Sequence, residues 1–323
     1  MPIGKKVWCL THGFFSKNYV LYNLHSNNYK DYITDFQENF RANRINKFSA
    51  LFNNKLAFTE LVKSRLKMPK VKGLIQDGKF VRYGSHSCEN LSQLLDYIKV
   101  KGVILKPIEG DGGEGIYLAK YENGKFYWNQ TLSSIEEIKE KILRLNYYFI
   151  SDLVHQHQYS NEIFSKSINT IRILTMIDPY SNDSIIAAAA HRIGNNNSLP
   201  VDNCAKGGFT AKIDVETGVL GKAVATYYKG DTPTWYGHHP DSGASIEGIQ
   251  IPNWKEIIDQ IKVLSNELSF MKYVGWDIVL QPDGTITLLE ANDGADLKLH
   301  QVHEPLLVNS SVVNFYKYYK VVG

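Results

Sequence analysis

The 323-residue sequence has few cysteines, no long apolar run and little net charge. Its three cysteines, Cys9, Cys88 and Cys204, are odd in number and widely spaced, so they exclude a disulfide framework and a zinc cluster and favour a reducing compartment. No apolar stretch reaches the roughly 20 residues that cross a bilayer. The apolar run after Lys5 and Lys6 is interrupted by polar residues, which makes it a poor signal peptide. We therefore expect a cytoplasmic protein without a membrane span.

A strong excess of charge of one sign is also missing. The chain has 36 basic and 33 acidic residues, a formal net charge of +3, and so lacks the bulk signature of a nucleic-acid binder. What the sequence does contain is 43% hydrophobic residues, enough to bury a substantial core. We expect two or three lobes of one enzyme-sized protein, and no nucleic acid as a partner.

Apolar periodicity divides the sequence into three parts. The pattern predicts a mainly helical part over residues 1–68, a small α/β lobe over 69–152 and a larger α+β lobe over 153–323. The elements that the pattern marks best are strands at 71–75, 103–105, 147–153, 168–177 and 185–193, and helices at 134–143 and 254–268. Ser134 and Glu137 form a capping box for the first helix, and Asn253 is the predicted cap of the second. The predicted fold class is α+β.

An acidic β-hairpin is predicted over residues 274–292. Two β-rich runs are joined by Asp283-Gly284, the usual signal for a two-residue hairpin loop. If those two residues form the loop, counting back along both strands places Asp277 opposite Glu290. Asn292 then lies two residues further along the same face.

These three side chains would bring oxygen ligands to one patch. Two carboxylates on opposed strands destabilise a sheet unless a proton or a cation lies between them. Oxygen-only ligands suit Mg²⁺ that is shared with phosphates, so Asp277, Glu290 and Asn292 are the predicted metal ligands. The alternative is a solvated carboxylate pair on an outer sheet face. Apolar Trp276 and Ile278 on the opposite face favour a two-sided sheet instead.

A glycine-rich loop follows a predicted strand that carries Lys106. Its glycines are Gly110, Gly112, Gly113 and Gly115. Glycine lets backbone N–H groups approach a phosphate chain and Lys106 adds a positive charge, so the loop predicts phosphate binding. An ordinary hairpin turn is the alternative. The sequence matches neither the Walker pattern nor a dinucleotide fingerprint.

The sequence resembles the ATP-grasp carboxylate–amine ligases from about residue 50 to 300. Asp277, Glu290 and Asn292 stand where that family has its Asp, Glu and Asn metal ligands. The resemblance implies an ATP-grasp fold, in which the nucleotide is held between a small α/β lobe with a glycine-rich flap and a larger C-terminal α+β lobe with the metal site. It also implies ATP and Mg²⁺ as cofactors.

The same resemblance implies which residues bind the nucleotide. Lys55, in Asn54-Lys55-Leu56, is similar to the family's first nucleotide lysine at the start of a helix, and Lys106 with its glycine loop is similar to the second lysine and the flap. The backbone that reads the adenine edge corresponds to residues 149–153, where the resemblance implies contacts from Ser151, Asp152 and Leu153. At the family's ribose-binding acid this chain has no carboxylate, and His157 is the candidate there.

Within the superfamily, four segments are similar to the sugar-transfer-associated ATP-grasp group, and they are residues 167–175, 190–194, 201–203 and 207–208. The resemblance implies a role in cell-surface polysaccharide biosynthesis. It further implies that a carboxylated sugar, such as a uronic acid or a glycan, is activated as an acyl phosphate and joined to an amine or amino acid, with release of ADP and phosphate.

Arg172 and Arg192 lie on the two predicted buried strands of the larger lobe and each needs an anion. They are candidate catalytic residues with Lys106, where all three would neutralise developing charge. A structural salt bridge is the alternative for each arginine.

Three rival functions remain open, namely a peptide or protein amino-acid ligase, an ATP-grasp kinase, and a nucleotide-binding regulatory module without catalysis. An intact metal triad disfavours the last. The aromatic loop over residues 227–245 suits stacking on a sugar or base or is an ordinary surface loop, and His300 and His303 are placed to face the acceptor.

Overall fold

A computed structural model describes residues 1–110, 113–227 and 232–323, so the predicted phosphate-binding Gly112 lies outside the described residues. The chain forms two compact units. The larger unit contains residues 1–49, 156–286 and 290–323, and the smaller unit contains residues 50–155 and 287–289. The division into three parts at residues 68 and 152 stays a prediction.

The smaller unit is an antiparallel sheet with α-helices packed against it. Its strands are β1 (Val71–Gln76), β2 (Lys79–Val81), β3 (Val103–Pro107), β4 (Tyr117–Glu122), β5 (Lys125–Trp128), β6 (Thr131–Ser133) and β7 (Tyr148–Asp152), and its helices are α4 (Ala50–Asn53), α5 (Lys55–Val62), α6 (Leu91–Lys101) and α7 (Ile135–Leu143). The strand order is β2-β1-β7-β3-β4-β5-β6. Helix α7 begins at the predicted capping box, in which Ser134 and Glu137 exchange side-chain and backbone hydrogen bonds.

The core of the smaller unit lies under α6 and α7. Leu94 and Ile98 of α6 and Ile138 and Ile142 of α7 are fully buried together with apolar residues of the sheet. Both helices place apolar residues four positions apart, which puts them on one face. The predicted strands at 71–75 and 103–105 and the predicted helix at 134–143 are confirmed.

The larger unit is a second antiparallel sheet with α-helices packed against it. Its strands are β8 (Ile171–Ile177), β9 (Ser184–Ile193), β10 (Phe209–Ile213), β11 (Leu220–Val224), β12 (Trp235–Tyr236), β13 (Tyr273–Leu280) and β14 (Ile286–Asn292), and its helices are α1 (Ile3–Thr11), α2 (Ser16–Leu21), α3 (Asp35–Phe40), α8 (Gln158–Ile163), α9 (Trp254–Glu267), α10 (Lys298–Gln301) and α11 (Ser310–Tyr318). The strand order is β12-β11-β10-β9-β8-β13-β14. Short 3₁₀ helices lie at Tyr29–Asp31, Ala42–Arg44, Cys204–Lys206 and Leu306–Val308.

Strands β8 and β13 are buried along their whole lengths in the middle of this sheet. On one face, the Ser265 hydroxyl of α9 donates a hydrogen bond to the Thr175 hydroxyl of β8 at 3.2 Å. On the other face, Leu174 and Met176 of β8 pack with Phe315 of α11. Because both faces are covered, a charged residue on either strand must find its partner within the protein.

Two details of the predicted elements differ in the structure. Asn253 is the N-cap residue of α9, as predicted, but it takes a left-handed conformation with φ of 56° and its side chain makes no capping hydrogen bond. The loop between β13 and β14 has three residues instead of two. The Gly284 N–H donates to the Gln281 carbonyl at 3.0 Å, and the Gln281 N–H donates to the Thr285 carbonyl at 2.8 Å. The α+β class itself is confirmed.

Among the described residues, no helix is both long and apolar enough to span a membrane.

Candidate metal and nucleotide sites

Asp277 of β13 lies directly opposite Arg172 of β8 in the larger unit. The Arg172 Nε donates to Asp277 Oδ1, and its Nη2 donates to Oδ2 at 2.8 Å, which makes a two-point contact. The third guanidinium nitrogen, Nη1, donates to the Ala295 carbonyl at 3.2 Å. A Cβ atom at Gly275 would come within 3.1 Å of the Arg172 side chain, so glycine leaves room for the pair.

Arg192 of β9 makes a second contact with the same carboxylate. Its Nη1 donates to Asp277 Oδ2 at 2.8 Å, and its Nη2 lies 3.2 Å from Asp202 Oδ1. The other Asp202 oxygen accepts from the Thr170 backbone N–H at 2.7 Å and from its hydroxyl at 2.5 Å. Both arginines therefore form the salt bridges that were the alternative to a catalytic role. The sequence analysis did not identify Asp202 as a partner of Arg192.

The pKa of the Asp277 carboxyl reflects this pairing. Burial raises the pKa, but the positive charges of Arg172 and Arg192 outweigh burial and hold it below its usual value. For both arginines burial lowers the pKa, and the adjacent carboxylates raise it above the usual value. Asp277 is therefore ionised at neutral pH although its side chain is only 1% exposed.

Glu290 and Asn292 of β14 lie beside Asp277. Glu290 is within hydrogen-bonding reach of the Asp277 carboxylate, and this contact also lowers the pKa of Asp277. The Asn292 Nδ2 is 3.5 Å from Asp277 Oδ2 and 3.5 Å from the Gly275 carbonyl, at the outer limit for a hydrogen bond. The three-residue loop differs from the two-residue loop on which the predicted pairing of Asp277 with Glu290 rested. The side chains of all three predicted metal ligands nevertheless come together.

This donor set fits a hard divalent cation. Two carboxyl groups and one amide supply only oxygen ligands, and two carboxyl groups in hydrogen-bonding reach share a proton or a cation. The arginines donate three hydrogen bonds to the Asp277 carboxylate, and the Asn292 amide lies at the limit of a fourth, so a bound cation would share this carboxylate with those donors. In the part of the chain that the structure describes, no three His, Cys, Asp or Glu side chains form a ligand cluster. The predicted set contains only two such residues.

His300 of α10 is a buried polar residue within the electrostatic field of this cluster. Neither of its ring nitrogens meets a hydrogen-bond partner among the described residues, and the same holds for Arg192 Nε. Burial and then the positive charge of Arg172 lower the pKa of His300 to about 3, so the ring is neutral at pH 7. Buried polar groups are almost always hydrogen-bonded, so a neutral, unpartnered imidazole indicates a place for a ligand or water.

The smaller unit contains a pocket with apolar walls and two lysines. Its lining residues are Lys55, Phe58, Thr59, Met68, Pro69, Lys106, Phe149, Ser151 and Leu289. Lys55 is the first residue of α5, whose cap is Asn54, and Lys106 lies on β3. The pocket volume of ≈ 20 Å³ holds a water molecule but no purine ring, so nucleotide binding requires the pocket to widen.

The glycine-rich loop packs against the start of α5. The Lys55 Nζ donates to the Gly110 carbonyl at 2.7 Å, and the Lys55 backbone N–H donates to the Ile108 carbonyl at 2.9 Å. Gly110, Gly113 and Gly115 all have positive φ. A Cβ atom at Gly115 would lie 2.6 Å from the Tyr148 hydroxyl, so this position requires glycine for space as well as for conformation.

The predicted adenine and ribose contacts have partners of their own. Ser151 is buried in β7 and pairs with strands β1 and β3. The Asp152 carboxylate accepts from the Tyr97 hydroxyl at 2.6 Å and lies 3.3 Å from Lys72 Nζ. Leu153, just after β7, is half-buried.

His157 belongs to the larger unit, where its Nδ1 accepts from the Tyr159 backbone N–H and caps α8. This contact engages the His157 Nδ1 within its own unit.

Solved structures give distant matches. The ADP complex of the N5-carboxyaminoimidazole ribonucleotide synthetase purK has 13% sequence identity and a TM-score of 0.43, and covers 76% of this chain and 45% of that chain. The same synthetase from Thermotoga maritima has 9% identity and a TM-score of 0.42, with 82% and 50% covered. The ATP-grasp ligase PsnB with its minimal precursor has 13% identity and a TM-score of 0.42, with 85% and 62% covered.

This chain thus spans about half the length of the two synthetases. No curated protein sequence matches it. A family model described as sugar-transfer associated ATP-grasp matches residues 35–313, which is most of the chain. This match confirms the predicted family, and with it the predicted ATP-grasp fold. The chain belongs to the sugar-transfer associated ATP-grasp family.

Proposed function

We propose that this protein is an ATP-dependent carboxylate–amine ligase that forms an amide through an acyl phosphate and releases ADP and phosphate. Members of the ATP-grasp family are ADP-forming ligases that make C–N bonds. The observation that carries the proposal is the ionised, buried Asp277 with Glu290 and Asn292 beside it. An ionised carboxylate at such depth, next to a second carboxyl group, suits a cation that accompanies nucleotide phosphates.

The two units supply different parts of this function. In the smaller unit, the apolar walls around Phe149 and Leu289 suit a purine, and Lys55 and Lys106 suit its phosphates. In the larger unit, Asp277, Glu290 and Asn292 would hold Mg²⁺, which supplies neutralisation of phosphate charge when bound. Positioning and charge neutralisation carry most of the catalysis in phosphoryl transfer, so few covalent roles are left for the protein.

The two arginines have different roles in this proposal. Arg172 directs all three guanidinium nitrogens at protein acceptors, so it is a positioning residue that orients the Asp277 carboxylate. Arg192 keeps its Nε without a partner among the described residues, and its side chain is 12% exposed. Arg192 is therefore the better candidate to contact the substrate carboxylate or the transferred phosphoryl group.

We assign the binding of the acceptor amine to His300. A neutral imidazole accepts one hydrogen bond and donates one, so it can orient an amine by hydrogen bonding. The proposed carboxylate is that of a uronic acid or related sugar, in keeping with the family description. Trp235, half-way along the aromatic loop and 43% exposed, packs edge-on against His303 and offers a ring for stacking on a sugar. Tyr228 and Lys229 of that loop lie outside the described residues.

The proposal is tested by product analysis with a panel of uronic acids and amino acids. ADP release should require both a carboxylate and an amine, and phosphate should accompany ADP in equal amounts. Release of AMP and pyrophosphate contradicts the acyl-phosphate route, and ADP release without an amine requirement favours a kinase. Joining of amino acids to a peptide favours the peptide-ligase alternative.

The matched variants are Glu290→Gln and Glu256→Gln. Glu290→Gln removes one proposed ligand and should abolish ADP release. Glu256 is exposed on α9 of the same unit, so its substitution should leave activity unchanged. Near-normal turnover in Glu290→Gln contradicts the metal assignment.

A further inference from the structure

The positive charge of the protein is concentrated in its first 49 residues. This segment contains seven Lys and Arg and three Asp and Glu, a difference of +4. Subtracting these from 36 basic and 33 acidic residues leaves 29 and 30, so residues 50–323 have a formal charge of −1. The near-neutral total therefore hides a strongly basic segment, all of which lies in the larger unit.

The exposed residues of this segment carry a larger excess of positive charge than the segment as a whole. All seven cations are exposed, and they are Lys5, Lys6, Lys17, Lys30, Arg41, Arg44 and Lys47. Two of the three acids are buried, because Asp35 is 6% exposed and Glu38 is 8% exposed. Asp35 accepts hydrogen bonds from the Phe15 N–H and from Asn18, and Glu38 accepts from the Leu297 N–H. The third acid, Asp31, is half-buried.

Apolar side chains are exposed between these cations. On α1, Ile3, Val7 and Leu10 are 80%, 53% and 76% exposed. At 100° per residue they form one stripe, and the buried Cys9 lies on the other side of the helix. Lys6 precedes Leu10 by one turn on the edge of that stripe. Helix α1 thus has a second apolar face that its own unit does not cover.

Exposed aromatic rings lie near the C-terminal end of α1. The Phe36 N–H donates to the Gly13 carbonyl at 3.0 Å, just after Leu10, so α3 begins beside the end of α1. Phe15, Phe36 and Phe40 are 60%, 49% and 53% exposed, and the rings of the last two lie 4.9 Å apart. The guanidinium carbons of Arg41 and Arg44 lie 6.0 Å and 5.8 Å from these two rings.

We propose that this basic–apolar face, formed by Ile3, Lys6, Val7, Leu10, Phe15, Phe36, Phe40, Arg41 and Arg44, docks onto the surface of an anionic lipid bilayer. Aliphatic and aromatic side chains enter the boundary between headgroups and acyl chains, while lysine and arginine beside them meet anionic headgroups. A nucleic acid would use the cations but leave the aliphatic stripe in water. A bilayer binds both the cations and the apolar side chains, and we therefore assign this face to lipid binding.

The test is co-sedimentation of the full chain with vesicles of phosphatidylcholine alone or with added phosphatidylglycerol. We expect binding only to the anionic vesicles, and weaker binding at high salt because exposed charges are screened. Each cation contributes about fivefold to affinity and the leucine about tenfold, so Lys6→Gln with Leu10→Ser should weaken binding by about fiftyfold. Arg44→Gln with Phe40→Ser, at the ends of the 3₁₀ helix and of α3 respectively, should weaken it comparably.

The matched control is Lys101→Gln with Val100→Ser at the end of α6 in the smaller unit. Val100 is 79% exposed, close to the 76% of Leu10, and the change in charge is the same. The control should bind like the wild type. Four results overturn the proposal: no binding to anionic vesicles, equal binding to neutral vesicles, equal effects of the control and the variants, or a dimer in solution that Leu10→Ser separates. The last result would assign the face to a second copy of the chain.

Discussion

The charge cluster of the larger unit, formed by Asp277, Arg172 and Arg192, differs from the pocket of the smaller unit in how its charged side chains are paired. In the cluster, Asp277 is buried and two arginines neutralise it from neighbouring strands. In the pocket, Lys55 and Lys106 border apolar walls beside a glycine-rich loop. Charges that pair inside a core support folding as well as chemistry, whereas charges at a pocket serve mainly the ligand. Substitutions in the first region should therefore affect stability and those in the second should affect binding.

The largest effect is expected from Asp277→Asn. The substitution leaves two buried arginines with one carboxylate fewer, and breaking a buried pair costs about 3–5 kcal/mol. Denaturant unfolding of the purified variant measures this loss. Asp259→Asn, on the exposed side of α9, is the control and should change the free energy of unfolding little. A change as small as that of the control would remove the claim that the cluster supports folding.

The pairing of Asp277 also predicts how the stability of the protein changes with pH. The folded-state pKa of Asp277 lies below its usual value of 3.8, so its contribution to stability is fully present above about pH 4. It is lost as the pH falls further and the folded carboxylate takes up a proton. The variant Asp277→Asn should show a shallower loss of stability than the wild type in that acidic range.

The next largest effect is expected from Lys106→Met in the smaller unit. A hydrogen bond to a charged group contributes about 1.5–3 kcal/mol, so the affinity for Mg-ATP should fall by about ten- to a hundredfold. Isothermal titration calorimetry measures this affinity. Lys120→Met, on β4 but not among the residues that line the pocket, should bind like the wild type. Equal affinities for both variants would contradict a phosphate role for Lys106.

Short sequence patterns were enough to predict some features of both units. The features that depend on pairing between distant parts of the chain could not be predicted in this way. The capping box at Ser134 depends on four consecutive residues, so the sequence was sufficient. The hairpin loop was misjudged because Gly284, at φ of 79°, accommodates a three-residue loop as readily as a two-residue one. Arg172 was correctly expected to need an anion. That its partner is Asp277 follows from strand pairing across 105 residues, which no local pattern encodes.

A smaller effect of opposite sign is expected from His300→Phe. The imidazole has no hydrogen-bond partner among the described residues, so replacing it with an apolar ring should leave stability unchanged or raise it by about 1 kcal/mol. Amine-dependent ADP release should be lost. The control is His191→Phe, because His191 is also buried but contacts the Tyr159 hydroxyl at 2.9 Å. The control should be destabilised, and destabilisation of both variants alike would show that His300 serves structure.

The smallest effect is expected from Gly115→Ala, which tests whether the glycine loop is held by space as well as by backbone conformation. Alanine at φ of 66° costs about 1 kcal/mol, and its Cβ would also displace the Tyr148 hydroxyl. Gly124→Ala carries the same conformational cost at φ of 79°, but open space surrounds that Cβ. The difference between the two variants in unfolding free energy and in Mg-ATP affinity therefore isolates the contact with Tyr148. If both variants bind Mg-ATP equally, the contact between the loop and Tyr148 does not shape the pocket.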